Sequence, residues 1–597
     1  MSSDITKPYF QAFEARKAPN FPPMSQRRTL LWQFSAGMAI TFGFWYLHWR
    51  WTQSLNPEAL YFSVAVVGAE TLAFLSTCLF FFDIWSEGDT RRRSPPEKRS
   101  DVGLPGEGAV SVDVMITTYD EGCAVVRPSV EDALRLEIPD GVQVKIHVLD
   151  DGRQPGIQDL CENLGVEYHV RDTNIGFKAG NIREAVLRTE GDFLVICDAD
   201  TRVFPSFLTH TLGYFRDPKV AWVQTPHWFY DIPSGRMLES VLGQKNRVIA
   251  AAAPTLFWLV TGRKKIGVDP YMADSALFFD VIQRRRNRHG ASFCCGAGSI
   301  HRREAVLEDA LHRRSEQALG WQSGGHAQVL SALPLQPYCF HVSEDILTSI
   351  HLHSRGWTSV YHPQAEARML SPWSMEAWAT QQLKYAGGTF DIMLRHNPLL
   401  NADMPWRMKL HYGATFASYL AVLWMPILML APIVALFLGT APVAAYSLTF
   451  FAHLLPFLLA NEWASFVGCK GHDTYSGRLR NLTTIPIVSR AAWAVLQGRR
   501  PRFPPTPKTP GRARDWSRAR VAFGFLTLSV AAGVWGAVSY VRGTPGYSLS
   551  LVIANAFWLA WNGYAFFATI RMCAWLPPID DQNTSNKALD GEPNVAI

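Results

Sequence analysis

The sequence predicts an α/β domain inserted between transmembrane α-helices, and three observations lead there. The first is composition: of 597 residues, 48% are hydrophobic and only 18% charged, with 21 Trp and 35 Phe. A wholly soluble chain usually carries about 25% charged residues, so part of this one belongs in lipid. The second is distribution. Long apolar runs lie toward both ends, whereas 110–401 alternates short apolar stretches with amphipathic ones, as βα units do. The third is a set of acidic residues where those short stretches end. The net charge of +6 is small for the length, and the basic residues sit beside apolar runs instead of forming one patch. That argues against a nucleic-acid partner.

Residues 1–28 read as a polar cytoplasmic segment with Lys7, Arg16, Lys17, Arg27 and Arg28 and no cleavable leader pattern. Apolar runs at 30–47 and 60–82 make two membrane helices within 29–85, each able to cross a ~30 Å hydrocarbon layer. "RRRSPPEKR" (91–99) in the basic linker 86–109 then places both flanks inside by the positive-inside rule. In 110–401 the strands are expected at 112–118, 144–149, 193–197 and 220–225. Segment 402–466 holds an interface helix and two spans, at 414–438 and 444–459, the first kinked by Pro426 and Pro432. Segment 467–518 holds an amphipathic helix at 484–500, with Arg490, Arg499 and Arg500 near the headgroups, and the proline-rich loop "PRFPPTPKTPGRARDW" (501–516). Spans at 522–541 and 549–572, within 519–576, bring the total to six. The polar tail 577–597 reads as disordered and cytoplasmic.

The nine cysteines include no CxxC pair, and Cys123, Cys161, Cys197, Cys294 and Cys295 lie in the same region as the acids. Unpaired thiols there fit a reducing compartment, and adjacent Cys294 and Cys295 read as packing thiols.

Four acidic landmarks close the apolar stretches: Asp120 in "ITTYDEG", Asp150 and Asp151 in "VLDDGR", Asp198 and Asp200 in "CDAD", and Glu344 with Asp345 in "VSEDI". In an open α/β sheet, ligands bind beyond the carboxyl ends of the strands. Carboxylates gathered there repel one another unless a cation joins them, and Mg²⁺ or Mn²⁺ takes one or two of them together with phosphate oxygens. Alone, the Asp198/Asp200 pair is a weak signal that reads more readily as two exposed turn residues than as a metal pair. "NIGFKAGNIREAV" (174–186) adds glycines, Lys178 and Asn181 at a helix entry suited to a nucleotide phosphate. Gln224 and His227 in "VQTPHWFYD" follow another strand; His227 reads as a diphosphate or metal contact, or as a satisfied buried histidine.

The order LDDG, FKAGN, DAD, QTPH, FCCG, SED, QQLKY resembles the processive family 2 glycosyltransferases, the bacterial cellulose synthase family above all. The likeness covers roughly 110–510 and extends to the flanking membrane layout. It implies a GT-A fold: a Rossmann-like domain with a mixed sheet resting on a transmembrane channel. It also implies that Asp120, Asp151 and Lys178 hold the nucleoside side of a UDP-sugar, and that Asp198 and Asp200 bind UDP and the divalent metal, Mg²⁺ or Mn²⁺. Gln224, His227, Gln381 and Lys384 complete the nucleotide-sugar contacts, and Asp345 is the general base. Cys295, Gly296 and Tyr385 sit at the acceptor. "FPPTPK" (503–508) resembles the family's gating loop through Phe503, Thr506 and Lys508.

"QQLKYAGG" (381–388) departs from the family's QxxRW: Lys384 offers a point charge where the family has a planar arginine fork, and Tyr385 a smaller face than tryptophan. The segment 306–342 is longer than usual. Both leave the linkage open among β-1,4, β-1,3 and mixed. Partners implied are UDP-glucose, the growing β-glucan chain and the lipid bilayer of a bacterial inner membrane, with room for periplasmic or regulatory subunits. The alternatives are a chitin- or hyaluronan-like synthase using an N-acetylated donor, a non-processive transferase acting on a lipid carrier, and a non-catalytic nucleotide sensor. Of the adjacent acids, Asp345 is expected to face the site and Glu344 to point elsewhere. Glu70, His453, Asn461, Glu462, Trp463, Trp535, Trp558 and Trp561 read either as channel lining or, for the tryptophans, as an interfacial belt.

Overall fold

The computed structural model describes residues 8–232, 236–238, 265–266, 271, 275–319, 334–472, 474–499 and 513–576. The chain starts with a short helix, Tyr9–Phe13, and two long ones, α1 (Gln26–Gln53) and α2 (Leu60–Asp83). Strands β1 (Val110–Thr118), β2 (Val142–Asp150), β3 (Glu167–His169), β4 (Phe193–Asp198), β5 (Arg202–Val203), β6 (Val220–Gln224), β7 (Trp228–Phe229), β8 (Arg236–Met237), β9 (Lys265–Ile266), β10 (Ser299–Arg302), β11 (Thr358–Tyr361) and β12 (Ala367–Met369) follow. Seven of them form one mixed sheet in the order β11-β6-β10-β4-β1-β2-β3. Only β10 runs antiparallel to its neighbours β4 and β6.

The four expected strands are β1, β2, β4 and β6. The central strand explains why such runs are legible. Phe193, Val195 and Cys197 join a core with Val114 and Ile116, while Leu194 and Ile196 join the opposite core with Met115 and Leu149. A strand buried on both faces needs an unbroken apolar run, and each such side chain contributes about 1.5–3 kcal/mol by leaving water. Helices α3 (Cys123–Ala133) and α4 (Pro155–Leu164) cover the first face through Val126, Val130, Ile157 and Leu160. Helix α5 (Phe177–Arg188) covers the second through Ala179, Ile182 and Val186.

Among the described residues, five helical segments are long and apolar enough to cross a membrane: Pro57–Asp83, Trp406–Leu438, Leu448–Gly468, Trp516–Val541 and Leu549–Ala574. The sixth expected span, at 30–47, lies in α1, which falls short because Gln33, Trp45, Tyr46, His48 and Arg50 dilute its apolar run. It still packs lengthwise on Leu448–Gly468, Trp32 and Ala36 against Ala464, and Trp49 against Phe450. The kink expected at the prolines is a break: a 3₁₀ turn, Ala421–Leu423, separates Trp406–Leu420 from Met425–Leu438. Pro426 lacks an N–H and disfavours helix in the residue before it.

Glu70 is paired within the helix bundle. It accepts from Arg50 Nε at 2.9 Å, and that guanidinium is fully buried between α1 and α2. His453 stacks on Trp45 and Trp49. Trp463, Trp535 and Trp561 are half-exposed on the outside of their helices.

The N-terminal segment is docked on the domain. Phe10 packs with Tyr230 and Leu370, and the Tyr9 hydroxyl donates to Asp231 Oδ2 at 2.9 Å. The first part of the long segment 306–342 continues the helix Arg303–Leu319, anchored where Asp309 accepts from Arg313 and Arg355.

Candidate active site

Register brings the acidic strand ends to one edge: Thr117 of β1 pairs with Asp198 of β4, and Thr118 with Asp150 of β2. The loops beyond them touch. A Cβ on Gly152 would collide with the Tyr119 carbonyl oxygen, so only glycine lets the "DDG" turn lie against "TTYD". Asp150 is fully buried and accepts from the Gly152 and Gln154 amides (2.8 and 2.7 Å) and the Tyr168 hydroxyl (3.0 Å). Its work is to shape this turn and open α4. Asp120 lies exposed on the rim.

Asp151 meets a partner that the sequence reading missed. Arg171 donates to both of its carboxylate oxygens, from Nε to Oδ1 at 2.5 Å and from Nη2 to Oδ2 at 2.6 Å. The same guanidinium donates to the Ile175 and Phe177 carbonyls, tying 171–177 to the tip of β2. No local pattern marks Arg171; only the fold brings it to the aspartate.

The centre of the site is Lys178, on the first turn of α5, whose Nζ lies 2.6 Å from Asp198 Oδ1. A small pocket opens here, lined by Lys178, Gly296, Glu344 and Asp345 with Trp222 and Tyr338 among its walls. Burial works against the lysine charge, but Asp198, Glu344 and Asp345 outweigh it and hold Lys178 above the usual lysine range. Burial likewise raises both acids, Glu344 to about 7. The expectation that Glu344 points elsewhere is therefore corrected. Both acids, on the first turn of the helix Glu344–Ser354, face the same pocket, because α5 delivers Lys178 opposite that turn. Asp345 Oδ1 accepts from the Ile346 amide at 2.8 Å. Asp200, buried behind Asp198, accepts from the Leu370 amide at 3.0 Å.

Gln224 and His227 build the site's wall. Gln224 is fully buried; its Nε2 donates to the Thr225 and Ala297 carbonyls and its Oε1 accepts from the Cys295 amide at 2.7 Å. It thus shapes the 294–298 loop and does not reach the pocket. His227 Nε2 donates to the Ala297 carbonyl at 2.8 Å, and burial lowers the ring to about 4, so it is neutral. Gly296 adopts φ +92°, and a Cβ there would lie 3.6 Å from Asp345 Oδ2 and 3.7 Å from Lys178 Nζ. The loop therefore passes within contact distance of both charges, in a conformation that favours glycine. Cys295 Sγ accepts from Gln283 Nε2 at 3.0 Å.

The helix Met375–Arg395, capped by the Ser374 hydroxyl on the Ala377 amide, carries Gln381, Lys384 and Tyr385. Gln381 Oε1 is buried with no protein partner among the described residues, an acceptor suited to a ligand hydroxyl. Tyr385 is half-exposed, and desolvation of its hydroxyl together with the nearby Asp345 holds it above the usual phenol range. The helix is seated by Gly388, where a Cβ would collide with Ser343 Oγ, directly before Glu344 and Asp345. Gly388→Val is expected to push the two helices apart, destabilise the protein by about 1–3 kcal/mol and suppress turnover. Unchanged thermal unfolding in detergent together with unchanged turnover would contradict this seating. On its far side the helix packs on Thr474–Leu496 through Ala386 and Phe390 against Val488 and Ala491. Phe503, Thr506 and Lys508 lie outside the described residues.

A mixed sheet with carboxylates at the parallel strand tips, continuous with membrane helices, defines the class. Residues 109–388 match the family described as glycosyltransferase like family 2, and 338–470 match cellulose synthase. Just under half of the chain is thus similar to the family 2 glycosyltransferases, and a stretch similar to cellulose synthase runs from the SED helix into the apolar helices. The UDP-forming cellulose synthase catalytic subunit of Pseudomonas fluorescens is 26% identical over 526 residues, 87% of this chain and 63% of its own length. Cellulose synthase 2 of Novacetimonas hansenii is 29% identical over 417 residues, 69% of this chain and 22% of its own. The chain thus spans less than two thirds of each of these relatives. Among solved structures, a mannosyltransferase from Pyrobaculum calidifontis in complex with GDP-Man and Mn²⁺ is similar with a TM-score of 0.41 and 14% identity, covering 73% of this chain and 99% of its own.

Proposed function

We propose that this chain is a processive, inverting membrane β-glucan synthase that takes glucose from UDP-glucose on the cytoplasmic face and passes the polymer outward between its membrane helices. The observation that carries the reading is the meeting of Lys178, Asp198, Asp345 and Gly296 around one pocket, with Gln381 and Lys384 on a helix seated against the Asp345 turn. The acceptor oxygen bonds to the anomeric carbon as the bond to the diphosphate breaks. Asp345 takes the acceptor's proton, and UDP leaves. One base with no protein nucleophile means a single displacement, turning an α-linked donor into a β-linked product.

Burial raises Asp345, which makes it the stronger base for a weakly acidic hydroxyl. The ammonium of Lys178, together with that of Lys384, would meet the charge growing on the diphosphate. The carboxylate oxygens of Asp198 and Asp200 are the donor set a hard dication prefers; they would hold Mg²⁺ or Mn²⁺, whose charge would neutralise the departing diphosphate. Asp151, engaged by Arg171, would meet the nucleoside through the loop the two residues fix, with Asp120 on the rim beside it. Cys295, Gly296 and Tyr385 would flank the acceptor, and Phe503, Thr506 and Lys508 would gate the entry.

The test is to supply the purified protein in detergent with labelled UDP-glucose or UDP-N-acetylglucosamine and Mg²⁺ or Mn²⁺, then digest the product with linkage-specific glucanases. A long glucan made only from UDP-glucose supports the reading, and the glucanases fix the linkage. A product from the N-acetylated donor, or a single sugar on lipid, would replace it with one of the alternatives.

A further inference from the structure

Away from this pocket, three metal-ligating side chains from separate elements meet. His210 lies on the helix Phe207–Thr211, His362 directly after β11, and Glu366 directly before β12. One ligand atom from each lies within 4.8 Å of the others. His210 Nδ1 is 2.6 Å and His362 Nε2 3.4 Å from the same oxygen, Glu366 Oε1. His362 and Glu366 are almost fully buried, while His210 is one-third exposed, so the cluster is open to solvent on one side only.

The outer contacts are already in place. The Tyr214 hydroxyl lies 3.1 Å from His362 Nδ1, and the Ser206 hydroxyl donates to Glu366 Oε2 at 2.6 Å. Each leaves the opposite atom, His362 Nε2 and Glu366 Oε1, facing the cluster centre. His362 Nε2 is buried with no hydrogen-bond partner among the described residues. With the ring proton on Nδ1 toward Tyr214, Nε2 turns a lone pair toward a carboxylate oxygen 3.4 Å away, an arrangement that a cation between them would satisfy. Metal-bound histidines are oriented in this way, the second ring nitrogen held by an outer hydrogen-bonding group.

We propose that His210, His362 and Glu366 form a site for a zinc-class divalent ion, distinct from the dication of the Asp198/Asp200 pair. Two imidazoles, one carboxylate and one solvent-facing position are a donor set zinc takes, with water as its fourth ligand. Imidazole donors set it apart from the all-oxygen pair that suits Mg²⁺ or Mn²⁺. The ion would clamp the Phe207–Thr211 helix to the chain entering β12. That chain is already tied to the metal-pair loop at two points: the Phe204 amide donates to the Glu366 carbonyl, and the Leu370 amide to Asp200. The site therefore braces the backbone behind Asp200.

The test uses untagged full-length protein in detergent, treated with a weak chelator and held in excess Mg²⁺ so that the carboxylate pair is filled. Elemental analysis is expected to find about one zinc per chain in the wild type and in Asp198→Asn, and close to none in His362→Ala or His210→Ala. Replacing the zinc with Co²⁺ should give the visible ligand-field absorption of a four-coordinate ion. Tyr214→Phe, which keeps all three ligands, should weaken zinc binding by about 10–100-fold. The wild-type measurements stand even if a variant fails to fold. Zinc no higher than in His362→Ala, or Co²⁺ without that absorption, would overturn the site and leave an ion pair between His210 and Glu366. Zinc lost in Asp198→Asn but kept in His362→Ala would also overturn it.

Discussion

Asp345→Asn is expected to lower glucan formation by about 10²–10⁴-fold, the usual contribution of a placed general base, with UDP binding close to wild type. The amide keeps the shape of the side chain and its contact with the Ile346 amide, but it cannot accept the acceptor's proton. Glu344→Gln separates the two neighbouring acids. It is expected to keep most of the activity and to move the acidic limb of the pH–rate profile to lower pH. The sign follows from the pocket: burial and the neighbouring Asp345 charge raise Glu344 to about 7, and burial raises Asp345. A base works ionised, so activity climbs as pH rises through the titration of the pair. Removing one member's charge lets the other ionise at lower pH. Undiminished polymer output from Asp345→Asn would remove it as the base; loss in Glu344→Gln with retention in Asp345→Asn would hand the role to Glu344.

The parts of this molecule legible in its sequence are those fixed by local physics. β1, β2, β4 and β6 announce themselves because their apolar runs are buried under helices. β10, reading "SIHR", does not, because a four-residue strand pairing antiparallel inside a parallel sheet carries no periodic signature. The five apolar spans are legible for the same reason as the strands. α1 gives a weaker signal because Tyr46, Trp49 and Arg50, buried against its neighbours, dilute its apolar run.

The site divides along the same line. Lys178, Asp198, Gly296 and Asp345 are scattered over 168 positions, and it is the order of their motifs that gathers them before any coordinates do. Arg171, Gln224 and Glu344 resist this treatment. The partner of Asp151 and the burial of Gln224 depend on how loops cross at the sheet edge, and Glu344 shares the pocket only because α5 approaches the SED turn from the opposite side.

Lys178→Met should cost about 10²–10³-fold in turnover, the scale of losing a preorganised electrostatic contact to developing charge, and it should move the acidic limb to higher pH. Lys178 touches Asp198 and lies within the fields of Glu344 and Asp345. Its charge lowers both of the latter against their burial. Without it, two neighbouring acids in a desolvated pocket keep a proton to higher pH, and the base is ionised in a smaller fraction of molecules. This shift is opposite in direction to that of Glu344→Gln, so the pair of variants separates electrostatic coupling from misfolding, which would depress the rate without moving the limb. Lys178→Arg should restore the limb but only part of the rate, because a planar fork does not occupy the point position of an ammonium. A limb that stays in place in Lys178→Met would mean that the lysine serves the nucleotide alone and does not tune Asp345.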